Sequence, residues 1–378
     1  MKCKIEIITP CHIGSGRKLI NNMDFIADTD RIGIISPEKV YSIIGDEGID
    51  GWCDSIGGKQ SVLNIAKNHK PDVCLEDICE RSLPLICERS LPLDGSVCSE
   101  LSEQIKTNGV PYIPGSSLKG AIVSAIVGEN SDAITLPERI QKKNNIVAEQ
   151  VLVKPVEKKG KVTYPPFNSN LRFLRVGDAH FKRDTTVAIE SYGLNLREQK
   201  SIIDKSAKML IECIKEGQAV FEVQIARELH DKCGSTVLPL PEAMTSEENL
   251  LRAINRHTLR LLKEELEFWE EQKERDYYPK DEKQKKKLDS YLKQIGKLQR
   301  KAEDYEKSGR GALLRVGYGS GWRFMTGGWI DGEQQLKSVA NITRNDKDGW
   351  RYGTYDFPKT RRIGFAPPFG FVKLTKED

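Results

Sequence analysis

The sequence lacks any apolar run long enough to cross a membrane. Its first residues, MKCKIEIITPCHIGSG, alternate charge with β-branched side chains where a secretory leader would carry an unbroken apolar stretch. A cytoplasmic location with no membrane partner is the expectation. Charge of one sign is equally scarce: 59 Lys and Arg face 55 Asp and Glu, a formal net charge of +4. Nucleic-acid binding is therefore permitted but not demanded, and would need basic residues gathered on one face. Nine cysteines are present, none in a Cys-x₂-Cys pair. Without a secretion signal they read as reduced thiols. Cys74, Cys79, Cys87 and Cys98 cluster, but at spacings too wide and irregular for a structural zinc site. No metal and no cofactor are expected. Cys87 is itself a copy of Cys79, because ICERSLPL at Ile78–Leu85 recurs letter for letter at Ile86–Leu93. A single perfect octapeptide repeat is too short for a solenoid and reads as a duplication in a tolerant loop.

What is present suits a mixed α+β protein long enough, at 378 residues, for two domains. KCKIEIIT at Lys2–Thr9 alternates as a strand and empties into the small-residue loop PCHIGSGR. SPEKVYSII carries a helix-start signature, with Ser36 as N-cap and Pro37 in the first position. Residues 45–109 read as an irregular, partly helical insertion. VPYIPGSSLKGAIVSAIVG at Val110–Gly128 reads as strand, Pro-Gly turn and helix, with Ser116 or Ser117 as the cap. VLVKPVEKKGKVTYPPF suggests an exposed basic hairpin over about 151–167. Strand patterns resume from Leu171, so a boundary near Phe167 divides domains 1–167 and 168–378. Within the second, residues about 245–309 place Leu251, Ile254, Leu261, Leu262, Leu266 and Trp269, then Leu288, Leu292, Ile295 and Leu298, at helical spacing on either side of Tyr278-Pro279. An antiparallel two-helix insertion with solvated, charge-balanced outer faces is expected there.

Three strand-to-glycine-loop transitions, each near a Lys or Arg, carry the functional signal. PGSSLKGA is not a nucleotide-hydrolysing phosphate loop, since Gly120 stands where Ser or Thr would hold Mg²⁺ after Lys119. GYGSGW follows a strand, but WRFMTGGW after it is β-prone, and a dinucleotide loop must open a helix. Trp322 and Arg323 suit either stacking and phosphate contact or a core-filling turn. His12 in TPCHIGSGR, with Arg17 behind it, could serve as a general base on an RNA 2′-hydroxyl, though no partner acid is visible; a structural or RNA-contacting histidine is the better reading. Together the loops suit a groove that follows a sugar-phosphate backbone.

These motifs, TPCHIGSG, YIPGSSLKGAIVSAI and LRVGYGSGW followed by PKTRRIGFAPPFGFVKL, resemble in combination and order the RAMP superfamily of CRISPR-associated proteins. Within it they look like the fifth Csm-type subunits of type III-A effector complexes. The resemblance implies two ferredoxin-like (RRM-type, βαββαβ) domains with a glycine-rich loop late in the second. It implies a non-enzymatic subunit that binds the 3′ region of the CRISPR RNA, caps the backbone filament and supports CRISPR RNA maturation with the help of host nucleases. The implied partners are CRISPR RNA, target RNA, a Csm3-type backbone subunit and a small helical subunit. The RNA-facing positions it implies are Gly14, Ser15 and Gly16; Gly115, Ser116, Ser117 and Lys119; Gly317, Gly319, Gly321 and Trp322; and Lys359, Arg361 and Arg362, to which His12, Arg17, Ser320 and Arg323 are added as neighbours in the same loops. Lys158, Lys159 and Lys161 are added from the exposed tip of the basic hairpin. The competing reading is a metal-independent endoribonuclease that processes CRISPR RNA with His12.

Overall fold

The computed structural model describes residues 1–28, 30–56, 58, 60–87, 99–134, 146–195, 203–273, 281–330, 360–364 and 368–377. Strand β1 (Lys2–Ile7) buries Cys3, Ile5 and Ile7 and turns its charged residues the other way, as its alternation requires. It lies between β15 (Gln218–Ile225) and β18 (Phe371–Lys376), with Ile5 opposite Ala219 on one side and Leu374 on the other. Strands β11 (Leu174–Val176) and β16 (Ala312–Arg315) complete an antiparallel sheet in the order β11-β15-β1-β18-β16. This sheet crosses the boundary expected near residue 167: a strand from before it sits between strands from after it.

Helices α5 (Gly115–Gly128) and α8 (Glu247–Lys273) cover one face of the sheet. Leu118, Ile122 and Ile126 of the first and Leu250 and Ile254 of the second share an apolar cluster with Ile5, Phe221, Val372 and Leu374. Where the opposite face is uncovered, at β1 and β15, it carries Lys4, Glu6, Val220 and Glu222, with no aromatic among the described residues. A base-stacking platform of the RRM type is therefore missing there.

The second sheet joins β2 (Gly14–Ile20), β6 (Glu100–Gln104), β14 (Ile203–Ile214), β13 (Thr186–Asn195), β5 (Cys79–Ile86), β4 (Arg31–Ile35) and β3 (Phe25–Ala27) in that order, with β17 (Thr360–Gly364) beside β13. Its two terminal strands, β2 and β3, are consecutive in the chain and joined by a turn through Asn22 (φ 63°). Leu19, Phe25, Ile32, Ile34, Leu83, Leu101, Ala188 and Leu210, drawn from strand after strand, meet in one cluster. The sheet therefore curls around a common core. Helices α1 (Pro37–Ile44), α2 (Ile49–Ser55), α3 (Val62–His69) and α4 (Leu75–Ile78) follow, and Val40, Ile44, Leu63 and Ile65 pack against Ile26 and Ile35. Ser36 caps α1 as expected, accepting from Lys39 N at 3.3 Å.

The stretch 45–109, expected to be irregular, thus supplies two inner strands of the curled sheet. The first copy of the duplicated octapeptide is not a loop but β5, because its Cys79 and Leu83 alternate inward. Most of the second copy, from residue 88, lies outside the described residues. Strands β7 (Lys106–Thr107), β8 (Val110–Ile113) and β12 (Ala179–His180) form a small third sheet. After α6 (Ile146–Leu152), strands β9 (Val156–Lys158) and β10 (Lys161–Thr163) form a two-stranded hairpin that, among the described residues, joins no other sheet. Its turn places Lys159 (φ 53°) and Gly160 (φ 72°) in the left-handed region, as a tight hairpin demands. Helix α7 (Arg227–Cys233) lies beyond β15.

Helix α9 (Glu282–Ser308) returns antiparallel to α8: Asn255 Nδ2 donates to the Ala302 carbonyl, and Tyr291 Oη to Glu265. The expected apolar stripe is real, but the pair is more than a solvated extension. Leu262, Trp269, Leu288 and Ile295 share a core with Tyr192 and Ile363 of the curled sheet and Leu313 and Phe371 of the first. Arg361 of β17 grips Glu265 with both carboxylate oxygens (2.9 and 2.9 Å) and lies 4.9 Å over the Phe268 ring. Glu265→Ala should leave this half-buried guanidinium without that carboxylate and lower stability by about 2 kcal/mol. The shift in urea midpoint measures it, with α8 and β17 losing amide-exchange protection first.

Candidate nucleic-acid interface

Strand β14 reads MLIECI, with Glu212 in an apolar run. The Glu212 side chain is 0% exposed and is held by Lys106 Nζ (2.6 Å), Arg81 Nη1 (3.1 Å) and the Gln104 backbone N–H (3.3 Å). Burial pushes its carboxyl upward, but the Arg81 and Lys106 cations outweigh this and hold it below the usual carboxylate range. The Glu212 backbone carbonyl lies 2.6 Å from His12 Nδ1. A carbonyl only accepts, so Nδ1 carries the proton. Burial lowers the pKa of His12, which is 5% exposed, and the ring is neutral. The Glu212 carboxylate is turned to Arg81 and Lys106, so it does not orient the imidazole for proton transfer.

His12 in turn fixes the third glycine loop. Its carbonyl accepts from Tyr318 N (2.9 Å), and the Tyr318 ring meets the imidazole edge-on at 5.8 Å. Gly317 (φ 80°) has no room for a side chain, since a Cβ would overlap the His12 carbonyl. Ser320 Oγ donates to the Gly317 carbonyl (2.7 Å), and Arg315 Nη2 to that of Gly319 (2.8 Å). The loop opens a one-turn helix, α10 (Gly321–Met325), where the β-prone letters WRFM predict none. Glycines at 317, 319 and 321, all with positive φ, fold the chain tightly enough to start it. Trp322 is half-buried against the core with Gly327 on its ring, and Arg323 pairs with Glu264. Both side chains therefore face the protein.

The first loop is exposed from Gly14 to Lys18, yet its cations have partners: Arg17 with Asp24 (3.1 Å) and Lys18 with Glu100 (2.6 Å). Ser15 Oγ donates to Glu103 at 3.2 Å. Gln104, fully buried, ties this loop to the second by accepting from Ile13 N (3.0 Å) and donating to the Tyr112 carbonyl (3.1 Å).

At the second loop neither serine caps the helix. The N-cap is Pro114, and Gly115 N donates instead to Asp178 Oδ1 at 2.6 Å. A carboxylate of the protein thus occupies the helix N-terminus that a phosphate would seek. Gly115 is obligatory because a Cβ would overlap the Val176 carbonyl. Ser116 is exposed and Ser117 half-buried. Lys119 Nζ donates to the Leu171 carbonyl (2.8 Å), and burial lowers its pKa.

Arg361 is engaged by Glu265, Arg362 lies on β17 opposite Gly193, and Lys359 falls outside the described residues. Lys158, Lys159 and Lys161 differ from all of these. They stand exposed on the separate hairpin and enter no ion pair among the described residues. Val162 on the same hairpin is 54% exposed, and Phe167, in the turn that follows it, is 68% exposed. The structure therefore brings His12, Gly14 and the Gly317–Ser320 turn together and sets the hairpin lysines apart. Sequence reasoning missed Gln104, Glu212 and Asp178. Glu212, an acid inside an apolar strand, and Asp178, in the break after Val176, left a trace; Gln104 left none.

Among the described residues no His, Cys, Asp and Glu cluster could hold a metal ion, and no helix is long and apolar enough to cross a membrane. Because Glu212 titrates lower folded than unfolded, its contribution is present above the ordinary value of 4.5 and lost as pH falls below it. Acid titration of unfolding free energy from pH 6 to pH 2 should therefore fall more gently for Glu212→Gln than for the wild type.

A curated relative, the CRISPR system Cms protein Csm5 of Methanocaldococcus jannaschii, is 31% identical over 147 residues, covering 37% of this chain and 33% of that protein. The chain thus spans about a third of that relative's length. Among solved structures, a chain of a Csm–crRNA–target RNA ternary complex from a type III-A CRISPR-Cas system superposes with a TM-score of 0.70 at 19% identity, over 99% of this chain and 100% of that one. T. onnurineus Csm5 superposes with a TM-score of 0.63 at 16% identity, over 98% and 99%. The loops that converge on His12 and Gly317 all fall within residues 4–324, which match the RAMP superfamily, and the chain belongs to that superfamily.

Proposed function

We propose that this chain is the Csm5-like RNA-binding subunit of a type III-A Csm complex. In this reading it holds the 3′ region of the CRISPR RNA, caps the backbone filament beside a Csm3-type and a small helical subunit, and supports CRISPR RNA maturation through host nucleases. Support comes from the RAMP match over residues 4–324 and from a fold shared end to end with a chain of a Csm–crRNA–target RNA complex. We read the five-stranded sheet with α5 and α8 as the ferredoxin-like unit and the curled sheet as its diverged counterpart.

The observation that carries RNA binding is the β9–β10 hairpin. Arg17, Lys18, Arg323 and Arg361 are paired with carboxylates, whereas Lys158, Lys159 and Lys161 project together without any among the described residues. Cations beside an exposed apolar Val162 suit a thumb laid along a guide–target duplex or single strand. An endoribonuclease using His12 gains no support, since the ring is oriented by a backbone carbonyl and no acid partner adjoins it among the described residues.

Reversing the three lysines to glutamate tests this. Guide-RNA affinity should fall, and the slope of log affinity against log salt should shrink by about 0.7 for each single-strand phosphate no longer neutralised. Melting should stay unchanged, because among the described residues the hairpin joins no other sheet. Wild-type affinity with an unchanged slope would contradict the proposal.

A further inference from the structure

His12 has a second ring nitrogen besides the anchored one. Its Nδ1–H is fixed on the Glu212 carbonyl, so the opposite nitrogen, Nε2, presents a lone pair and no proton. No hydrogen-bond partner meets Nε2 among the described residues. Among the described residues the buried side-chain atoms left without a partner are Asn170 Oδ1 and His257 Nε2, and His12 Nε2 is not one of them. Gly14 borders it: a Cβ there would come within 3.3 Å of Nε2, so the glycine keeps the approach clear. Beyond lie the exposed Ser15 and Gly16, the latter with open space around its α-carbon.

The chemistry of such an atom is selective. An unprotonated imidazole nitrogen repels a phosphate oxygen and accepts from a hydroxyl or an amine. In a nucleic acid strand those donors are the ribose 2′-hydroxyl and the amino and ring N–H groups of bases. A small-residue loop that admits backbone closely favours the sugar. We propose that His12 Nε2 accepts a hydrogen bond from a ribose 2′-hydroxyl, so that this loop distinguishes RNA from DNA. The inference rests on the RNA-binding reading above and adds a chemical role to a position that reading leaves unexplained.

The test uses the full-length protein and a guide-type oligoribonucleotide substituted with 2′-deoxyribose at one position at a time. Wild-type affinity should drop at one position by about three- to tenfold, the worth of one net hydrogen bond. His12→Phe should bind more weakly and lose that sensitivity, with deoxy and ribo strands bound alike. Since His12→Phe also removes the Nδ1 anchor, Gly14→Ala serves as the second variant. It crowds Nε2 while leaving the anchor intact, and should abolish the same sensitivity at unchanged melting temperature. Changing the base at that position should have no effect; an effect of the base in place of the sugar overturns the assignment. A flat scan with tight wild-type binding, or sensitivity that persists in both variants, also overturns it while leaving RNA binding standing. Absence of RNA binding in every arm would remove both.

Discussion

A carboxylate with no exposed surface has to be neutralised where it lies, and Glu212 is the residue on which this requirement falls. Its side chain draws Arg81 from β5, Lys106 from β7 and the N–H of Gln104 from β6 to one point. Its carbonyl fixes His12, and His12 fixes the turn at Gly317. Replacing one member without the others would strand a charge away from water, so segments far apart in sequence are held in one geometry. The site is therefore a consequence of the packing, not an ornament on it.

On the proposed reading, the same logic explains how a nearly neutral chain would serve a polyanion. Most cations that sequence places near the glycine loops are engaged by the protein itself. Arg17 is held by Asp24, Arg361 by Glu265, and Lys119 by the Leu171 carbonyl. Asp178 fills the helix N-terminus of α5, the one the sequence offers to an anion. Among the described residues, cations outside ion pairs are left on the β9–β10 hairpin, where on the proposed reading they meet a nucleic-acid backbone without disturbing the core. In the proposed reading the glycine loops contribute shape and a neutral acceptor instead of charge.

Much of this was legible in the letters. Alternation in KCKIEI places β1, the Ser36–Pro37 pair marks a helix start, and the Leu and Trp spacing of 251–298 gives two antiparallel helices. The Lys-Lys-Gly turn names its own hairpin. Long-range pairing was not legible: nothing local says that residues 2–7 lie between 218–225 and 371–376, or that 79–86 enter a curled sheet instead of a loop. Capping by Ser116 or Ser117 was a sound local inference that lost to Asp178, an acid 63 residues away from Gly115. Trp322 and Arg323 carry nucleic-acid chemistry as residue types, and only their neighbours, Gly327 and Glu264, reveal that they face inward.

The central claim is that this chain holds a CRISPR RNA through its hairpin and its first glycine loop. Ultraviolet cross-linking of the reconstituted complex, followed by mass spectrometry of RNA-bearing peptides, tests it most directly. The account predicts adducts on peptides spanning residues 154–167 and 12–18, joined to the 3′ part of the guide. Adducts confined to other surfaces of the chain, or to the neighbouring subunits alone, would contradict it.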